Sequence, residues 1–199
     1  MFALERDQIK ILLDGINLRS PFGRRDYLLI LFLYHTGLRI GELCRLVITH
    51  VTHEGVPRDE LHLPASLTKT RKARVIPLNE VAQECVAKLL AFNQERGFSI
   101  APAAPLFAWK NHGNLPPREA QRMLQELREK VGLSAKATPH TLRHTFASEL
   151  VRNGATLPTV SSLLGHERLS STQIYTHTTN RERTSAVNSL ARKPANRRN

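Results

Sequence analysis

The residue types that could do chemistry in this chain are arginines, histidines, a lysine and a tyrosine, found in a few short stretches. The stretch TPHTLRH places Thr138 and Pro139 where a helix would begin, with His140 in its first turn and Arg143 about one turn further on. A helix start presents free N–H groups and the positive end of the helix dipole, so His140 and Arg143 could bind one phosphate. A helix with a solvated arginine and a hydrogen-bonded histidine would fit the same letters, and this stretch alone leaves both interpretations open.

The stretch HTGLRIGEL contains a second candidate, Arg39. It follows a glycine that ends an apolar helix, and Glu42 lies about one helical turn later. An arginine between two apolar helices is not typical of the surface. The alternative interpretation is a structural ion pair between Arg39 and Glu42.

Two further stretches carry cations or a nucleophile. LTKTRKARVIPL contains Lys69, Arg71, Lys72 and Arg74 around a predicted hairpin turn, which indicates either a solvated basic turn or a DNA contact.

The other stretch, LLGHERLSSTQIYTH, contains a histidine directly after a glycine and a tyrosine nine residues later. These are His166 and Tyr175. Taken alone, the histidine would fit a helix cap or the core.

Together these residues describe phosphodiester chemistry. Guanidinium pairs match the non-bridging oxygens of a phosphorane-like transition state, so two arginines and two histidines could stabilise it without a metal. The reaction also needs a nucleophile and an acid for the departing 5′ oxygen, for which Tyr175 and Lys69 are the candidates. Ionising a tyrosine at pH 7 costs about 4 kcal/mol, so it needs a nearby proton acceptor or a cationic field.

The charge of the chain favours a polyanionic partner. Its 199 residues include 29 Lys and Arg against 17 Asp and Glu, a formal net charge of +12. Nucleic acid is the commonest such partner. A membrane is disfavoured because the longest apolar run, 27–34, is far short of the roughly 20 residues that span a bilayer. The N-terminus does not resemble a signal peptide, so we expect a cytoplasmic protein.

The hydrophobic pattern predicts a single, mainly helical α+β domain with a small antiparallel sheet of about three strands between residues 47 and 78. Asn79 is a candidate N-cap, and Gly97 follows the end of the helix that it starts. Cys44 and Cys85 lack a CxxC partner and are expected to be buried thiols. Helices are predicted over 4–16, 24–35, 39–46, the stretch between the cap Asn79 and Gly97, 117–131, 139–152, 156–164, 170–176 and 181–191.

The order of the motifs is similar to a known family. TGLRIGEL, a hairpin lysine, HTLRH, LGH and a tyrosine nine residues later resemble the tyrosine recombinases (the phage integrase family), over about residues 4 to 190. Each motif is weak by itself, but all of them in this order and spacing form a specific signal. The resemblance implies the recombinase catalytic-domain fold, α+β and mainly helical.

The resemblance also implies a role for each candidate. Tyr175 would attack the scissile phosphate, leaving a 3′-phosphotyrosyl link and a free 5′ hydroxyl, so that no ATP, metal or other cofactor is needed. Lys69, eight residues before Pro77, would be the general acid, with Lys72 as the alternative. Arg39, Arg143 and His166 would donate hydrogen bonds to the phosphate, and His140 would accept the tyrosine proton. Glu42 would support the first arginine, and His144 would be structural. Arg71, Lys72 and Arg74 would contact DNA.

The implied partners are double-stranded DNA with specific recombination sites and further copies of the chain. A tetramer on DNA is expected through the C-terminal helix, with Val187 and Leu190 on its docking face, and accessory DNA-bending proteins are a further expectation. We expect residues 1–191 to form the catalytic domain and 192–199 a basic flexible tail. The helical core-binding domain usual in the family is not expected here. Short members such as the fimbrial phase-variation recombinases are similar in this respect, and a fragment of a longer recombinase is the alternative.

Three other functions remain to be weighed. A type IB topoisomerase would share the residues and relax supercoiled DNA with little sequence preference. A non-catalytic DNA-binding regulator would keep its function without Tyr175. A metal-dependent nuclease could use His140 and His144, four residues apart, but the sequence lacks the paired carboxylates or HExxH motif that such a site requires.

Overall fold

A computed structural model of the chain describes residues 3–69, 71–165 and 179–191, with the side chain of residue 111 left out. This part of the chain is mainly helical. Its helices are α1 (Arg6–Asp14), α2 (Gly23–Thr36), α3 (Ile40–Leu43), α4 (Glu80–Glu95), α5 (Pro117–Lys130), α6 (Pro139–Arg152), α7 (Leu157–Leu164) and α8 (Asn180–Asn188). Its strands are β1 (Thr52–His53), β2 (Val56–Pro57), β3 (Glu60–Leu63) and β4 (Arg74–Pro77).

Helix ends follow local sequence signals. The Asn79 side chain accepts a hydrogen bond from the Ala82 N–H at 3.0 Å and caps α4, and the Thr138 side chain caps α6, so both predicted caps are confirmed. The third helix, predicted over 39–46, is shorter than expected and spans only Ile40–Leu43. The helix predicted over 170–176 lies outside the described residues.

The predicted small antiparallel sheet is confirmed, but it is divided into two ladders of two strands each rather than about three strands together. Strands β1 and β2 are joined by Glu54 and Gly55, both with positive φ, the conformation of a tight type I′ hairpin. Pro57 has no N–H to donate, so this first ladder is short. Strands β3 and β4 pair from Glu60 with Pro77 to Leu63 with Arg74.

The main core surrounds α2, which packs against α4 and α6. Its side chains Leu29, Ile30, Phe32 and Leu33 are all at most 1% exposed, which confirms the predicted buried helix. Fully burying each such side chain stabilises the fold by about 1.5–3 kcal/mol. In the part of the chain that is described, no helix is both long and apolar enough to span a membrane.

Both cysteines are core thiols, as predicted. Cys44 and Cys85 are each 1% exposed and form no disulfide. Burial raises the pKa of each thiol to about 12. They are therefore protonated at neutral pH and inert as nucleophiles.

A second, smaller core joins α6, α7 and α8. Phe146, Leu163 and Val187 are fully buried in it, and Leu190 is 6% exposed. The Val187 carbonyl also accepts a hydrogen bond from Asn79 Nδ2 at 3.0 Å. Val187 on α8 and Leu190 just beyond its end are therefore covered by the chain itself.

Candidate active site

The start of α6 brings His140 and Arg143 to one place. Thr138 Oγ1 accepts a hydrogen bond from the Thr141 N–H at 3.3 Å, and Pro139 occupies the first helical position. This cap fixes the first turn, so that the exposed His140 and the buried Arg143 point to the same side. The local geometry predicted from TPHTLRH is confirmed.

Arg143 is held rigidly by backbone oxygens. It is 4% exposed, and its two terminal nitrogens donate to the carbonyls of Gly37 and Leu164, each at 2.6 Å. These carbonyls belong to the C-terminal ends of α2 and α7, where unpaired carbonyls and the negative end of the helix dipole favour a cation. Burial, with the nearby charges of Arg39 and Arg74, lowers the pKa of Arg143 to about 9. The surroundings of this guanidinium therefore favour the arrival of an anion.

Arg39 forms the ion pair that was one interpretation of its motif, and it also borders a cavity. Its Nη1 lies 3.0 Å from Glu42 Oε1, and its backbone N–H donates to Glu42 Oε2 at 2.9 Å. Glu42 is 2% exposed, whereas the Arg39 side chain is 30% exposed. Burial alone would raise the pKa of Glu42, but hydrogen bonds and charge from Arg74, with hydrogen bonds from Arg39, hold that pKa below its ordinary value. Glu42 is thus an anion that anchors Arg39 without burying it.

The side chains of Arg39, His140 and Arg143 line a common cavity of about 380 Å³. Gln121 of α5 lies beside them in the same cavity. The sequence gives no signal for Gln121, since nothing distinguishes it from the other exposed residues of that amphipathic helix. The cavity has the donor types that a phosphate group requires.

His140 and His144 lie edge to face, with ring centroids 4.2 Å apart and an interplanar angle of 78°. This contact is typical of packing aromatic rings. Among the described residues no cluster of three or more His, Cys, Asp or Glu side chains is placed to hold a metal ion. His140 therefore enters the site as a titratable side chain with a packed neighbour.

The turn before β4 presents cations of a different kind. Lys69, Arg71 and Lys72 are all exposed. The Thr68 hydroxyl bonds both backbone groups of Lys72, at 3.0 and 3.1 Å, and Arg71 adopts a left-handed conformation with φ of 53°. Of the two lysines, Lys72 lines a wider groove of about 930 Å³, together with Arg74 and Gly165. Lys69 is on the surface of the turn and lines neither this groove nor the cavity of Arg39 and Arg143.

Arg74, at the end of the same turn, faces inward. Its side chain is 9% exposed, and its guanidinium makes two hydrogen bonds to Glu42, at 2.8 and 3.2 Å. The sequence pattern groups Arg74 with the other cations of the hairpin turn, which are expected to be solvated or to contact DNA. Alternation along β4 turns it the other way, toward a carboxylate 32 residues earlier in the chain.

Two predicted site residues, His166 and Tyr175, lie outside the described residues. The structure does describe Gly165, which ends α7 in the left-handed conformation with φ of 64°. A Cβ at this position would come within 2.8 Å of Arg74 Nη1. The left-handed backbone conformation therefore favours glycine here, and a larger residue would also have to displace the end of the Arg74 side chain.

The fold is that of tyrosine recombinase catalytic domains. The crystal structure of XerA recombinase superposes with a TM-score of 0.69 and 26% sequence identity, over 97% of this chain and 66% of that one. The Tn1549 transposon integrase, solved with circular intermediate DNA, has a TM-score of 0.68 at 23% identity, over 92% of this chain and 64% of that one. At that identity the second likeness concerns the fold alone.

The chain belongs to the phage integrase family, whose model matches residues 3–182. Curated relatives include tyrosine recombinase XerC of Anoxybacillus flavithermus, 34% identical over 87% of this chain and 56% of the relative. Tyrosine recombinase XerD of Halalkalibacterium halodurans is 36% identical over 89% of this chain and 57% of the relative. The chain thus spans a little over half the length of these relatives.

Proposed function

We propose that this chain cleaves and rejoins DNA strands in site-specific recombination, through a covalent link between Tyr175 and a 3′ phosphate. The observation that carries the proposal is the shared cavity lined by Arg39, His140 and Arg143. Two guanidinium groups converging on one cavity fit a phosphodiester whose non-bridging oxygens gain charge in the transition state. Membership of the phage integrase family supports the same chemistry.

In the proposed reaction the Tyr175 oxygen attacks the scissile phosphorus, and the bond from phosphorus to the 5′ oxygen breaks. The proton of the tyrosine hydroxyl passes to His140, and the departing 5′ oxygen takes a proton from Lys69, with Lys72 as the alternative acid. Arg39, Arg143 and His166 donate hydrogen bonds to the phosphate oxygens. Attack by the 5′ hydroxyl of another strand reverses these steps and completes strand exchange.

Arg143 supports this proposal through its environment. Its guanidinium is desolvated and fixed by two carbonyls before any substrate binds. Preorganised donors need no reorganisation at the moment of reaction, which is why they stabilise transition states effectively. Burial is the main cause of the lowered pKa of Arg143, and the nearby charges of Arg39 and Arg74 add a repulsion that a bound phosphate would relieve.

The proposed partner is double-stranded DNA carrying recombination sites, and the structure of the Tn1549 transposon integrase with circular intermediate DNA supports DNA as the partner. Exposed cations of the hairpin turn, Arg71 and Lys72, would contact its backbone. We also propose residues 1–191 as the catalytic domain, 192–199 as a basic tail, and action on the nucleoid in the bacterial cytoplasm. Accessory DNA-bending proteins would assist where the sites must be brought together.

Self-association would use the C-terminal helix. Val187 and Leu190 lie in the chain's own second core, so docking them on a neighbour requires that contact to be exchanged for an intermolecular one. Deleting residues 180–199 should weaken assembly on paired sites more than binding to a single site. Unchanged assembly would contradict this part of the proposal, whereas equal loss of both would report unfolding of the second core, from which the deletion removes Val187 and Leu190.

The experiment that tests the proposed function is capture of protein–DNA adducts in the native host under denaturing conditions, followed by sequencing of the attached DNA. Wild type is compared with Tyr175→Phe and with Tyr27→Phe, a matched control because Tyr27 is a partly exposed residue of α2. We expect adducts from wild type and Tyr27→Phe at a few paired sequences, and none from Tyr175→Phe. Dispersed adducts would indicate a topoisomerase, and their absence in wild type would favour a DNA-binding regulator.

A further inference from the structure

Arg74 is the most deeply buried cation of the hairpin turn and its neighbouring strand. It is the first residue of β4, paired with Leu63 of β3, so its backbone is fixed by the ladder. Its side chain is 9% exposed and lies against Glu42, which is 2% exposed. A bidentate pair between arginine and carboxylate in such a buried place is both strong and geometrically specific.

Glu42 is shared between two arginines. Its Oε1 accepts from Arg39 Nη1 at 3.0 Å and from Arg74 Nη1 at 3.2 Å. Its Oε2 accepts from the Arg39 backbone N–H at 2.9 Å and from Arg74 Nη2 at 2.8 Å. Arg74 therefore helps to fix the orientation of the carboxylate that holds Arg39 at the edge of the cavity.

The same guanidinium also packs on the end of α7. Its Nη1 lies 2.8 Å from the place where a Cβ on Gly165 would be, and its Cδ and Cζ lie at 3.2 and 3.4 Å. Gly165 follows Leu164, whose carbonyl holds Arg143 at 2.6 Å. One side chain thus touches both the anchor of Arg39 and the turn that holds Arg143.

We infer that Arg74 is a positioning residue for strand cleavage, which couples the Glu42 anchor of Arg39 to the turn at Gly165. The inference rests on the proposed function, since cleavage is the reaction that the two held arginines would serve. It assigns Arg74 a role within the protein rather than a contact with the DNA backbone.

The test uses single-turnover cleavage of a duplex with the sequence recovered by adduct capture. Arg74→Met removes the charge and both hydrogen bonds, and should slow cleavage roughly a hundredfold at saturating DNA. Its Kd for the duplex should stay within about threefold of wild type, since Arg74 does not contact DNA in this account. Arg74→Lys keeps the charge but loses the planar fork, so it should recover part of the lost rate.

A double variant of Arg74 and Glu42 distinguishes a positioning role of Arg74 from an effect of its packing alone. If both residues act through one unit, Arg74→Met combined with Glu42→Gln should be no slower than the worse single variant, within about twofold. Arg24→Met, which removes a cation from an exposed pair with Glu95, is the matched control and should cleave like wild type. Thermal unfolding of each variant shows whether it is folded, and Arg74→Lys carries the test if Arg74→Met is not.

Three results would overturn the inference. They are wild-type cleavage by Arg74→Met, single effects that multiply in the double variant, and a loss of DNA affinity as large as the loss of rate. The last result would make Arg74 a DNA contact.

Wild type without any adduct would instead defeat the proposed function. The inference is then tested by titrating the protein with inorganic phosphate, followed by ³¹P NMR. Non-additive effects of Arg74 and Glu42 on phosphate affinity would support it, and additive effects would overturn it.

Discussion

Two groups of cations near the candidate site differ in how the chain holds them. Arg143 and Arg74 are buried and bonded to carbonyls or to a carboxylate. Lys69, Arg71 and Lys72 are exposed on the turn before β4. The buried group is positioned before any ligand arrives, whereas the exposed group is positioned largely by what it binds. The first arrangement suits a transition state and the second suits a polyanionic surface.

The difference has an energetic basis. A buried guanidinium loses its hydration, so it is stable only where fixed acceptors replace the water. An exposed cation keeps its hydration, and its attraction for phosphates is screened by salt. Changes in the buried group should therefore alter rate and stability. Changes in the exposed group should alter affinity and its salt dependence, and only at the proposed general acid, Lys69 or its alternative Lys72, should they also slow cleavage.

The largest expected effect is on cleavage by Arg143→Met. The substitution removes a preorganised donor and leaves the carbonyls of Gly37 and Leu164 without their partner. Cleavage of a captured site at saturating DNA should fall about a thousandfold. Arg24→Met is the control, and a fall of less than about fivefold in Arg143→Met would break the distinction between the two groups.

The next largest effect is on stability and concerns Gly37, whose carbonyl holds Arg143. Gly37 has φ of 61°, and a Cβ there would lie 2.3 Å from the Phe146 ring. Gly37→Ala should lower the free energy of unfolding by about 3–4 kcal/mol, through backbone strain and overpacking together. Gly97→Ala is a matched control, since its φ of 73° gives the strain but nothing lies within 4 Å. It should cost about 1 kcal/mol in denaturant titration, and equal losses would contradict the predicted clash.

A smaller effect concerns the pH dependence of stability. His35, buried near the end of α2, has its pKa lowered by burial from 6.5 to about 4. Between these values the unfolded chain binds a proton that the native chain does not, so stability falls as pH falls from about 6.5 to 4. The loss should reach roughly 3 kcal/mol.

The control for this prediction is His35→Gln, which keeps an acceptor for the hydrogen bond from Asn79 Nδ2 but cannot take up the proton. Urea titrations at several pH values should show a flatter profile for the variant between pH 6.5 and 4. An unchanged profile would assign the acid sensitivity to other groups.

The smallest effect belongs to the exposed group. Arg71→Ala should weaken DNA binding by about tenfold or less and reduce the salt slope of the association constant by about one, as expected for a single phosphate contact. Cleavage at saturating DNA should stay unchanged. Fluorescence titrations at several salt concentrations measure both quantities, and a slower rate at saturation would place Arg71 with the buried group.

Sequence reasoning predicted the parts of the site that are local. Thr138, Pro139, His140 and Arg143 share one helix start, so capping rules alone bring them together. The Arg39–Glu42 pair is also local, since it spans a single turn. These features need no knowledge of the tertiary fold.

The remainder depends on distant contacts that no periodicity records. Arg143 bonds a carbonyl 106 residues away, and Arg74 bonds a carboxylate 32 residues away. Gln121 enters the cavity only because α5 packs against α3. The sheet was predicted, but its division into two ladders depends on how the strands meet in space.

Peptide mapping of the covalent adduct shows whether DNA is cleaved through Tyr175. Purified chain is trapped on a nicked duplex of captured sequence, digested with protease and nuclease, and analysed by mass spectrometry. We expect a nucleotide remnant on the peptide with Tyr175, and none on the peptides with Tyr27 or Tyr34, which both lie in α2. A remnant on any other residue, or DNA cleaved with no remnant on the protein, would contradict it.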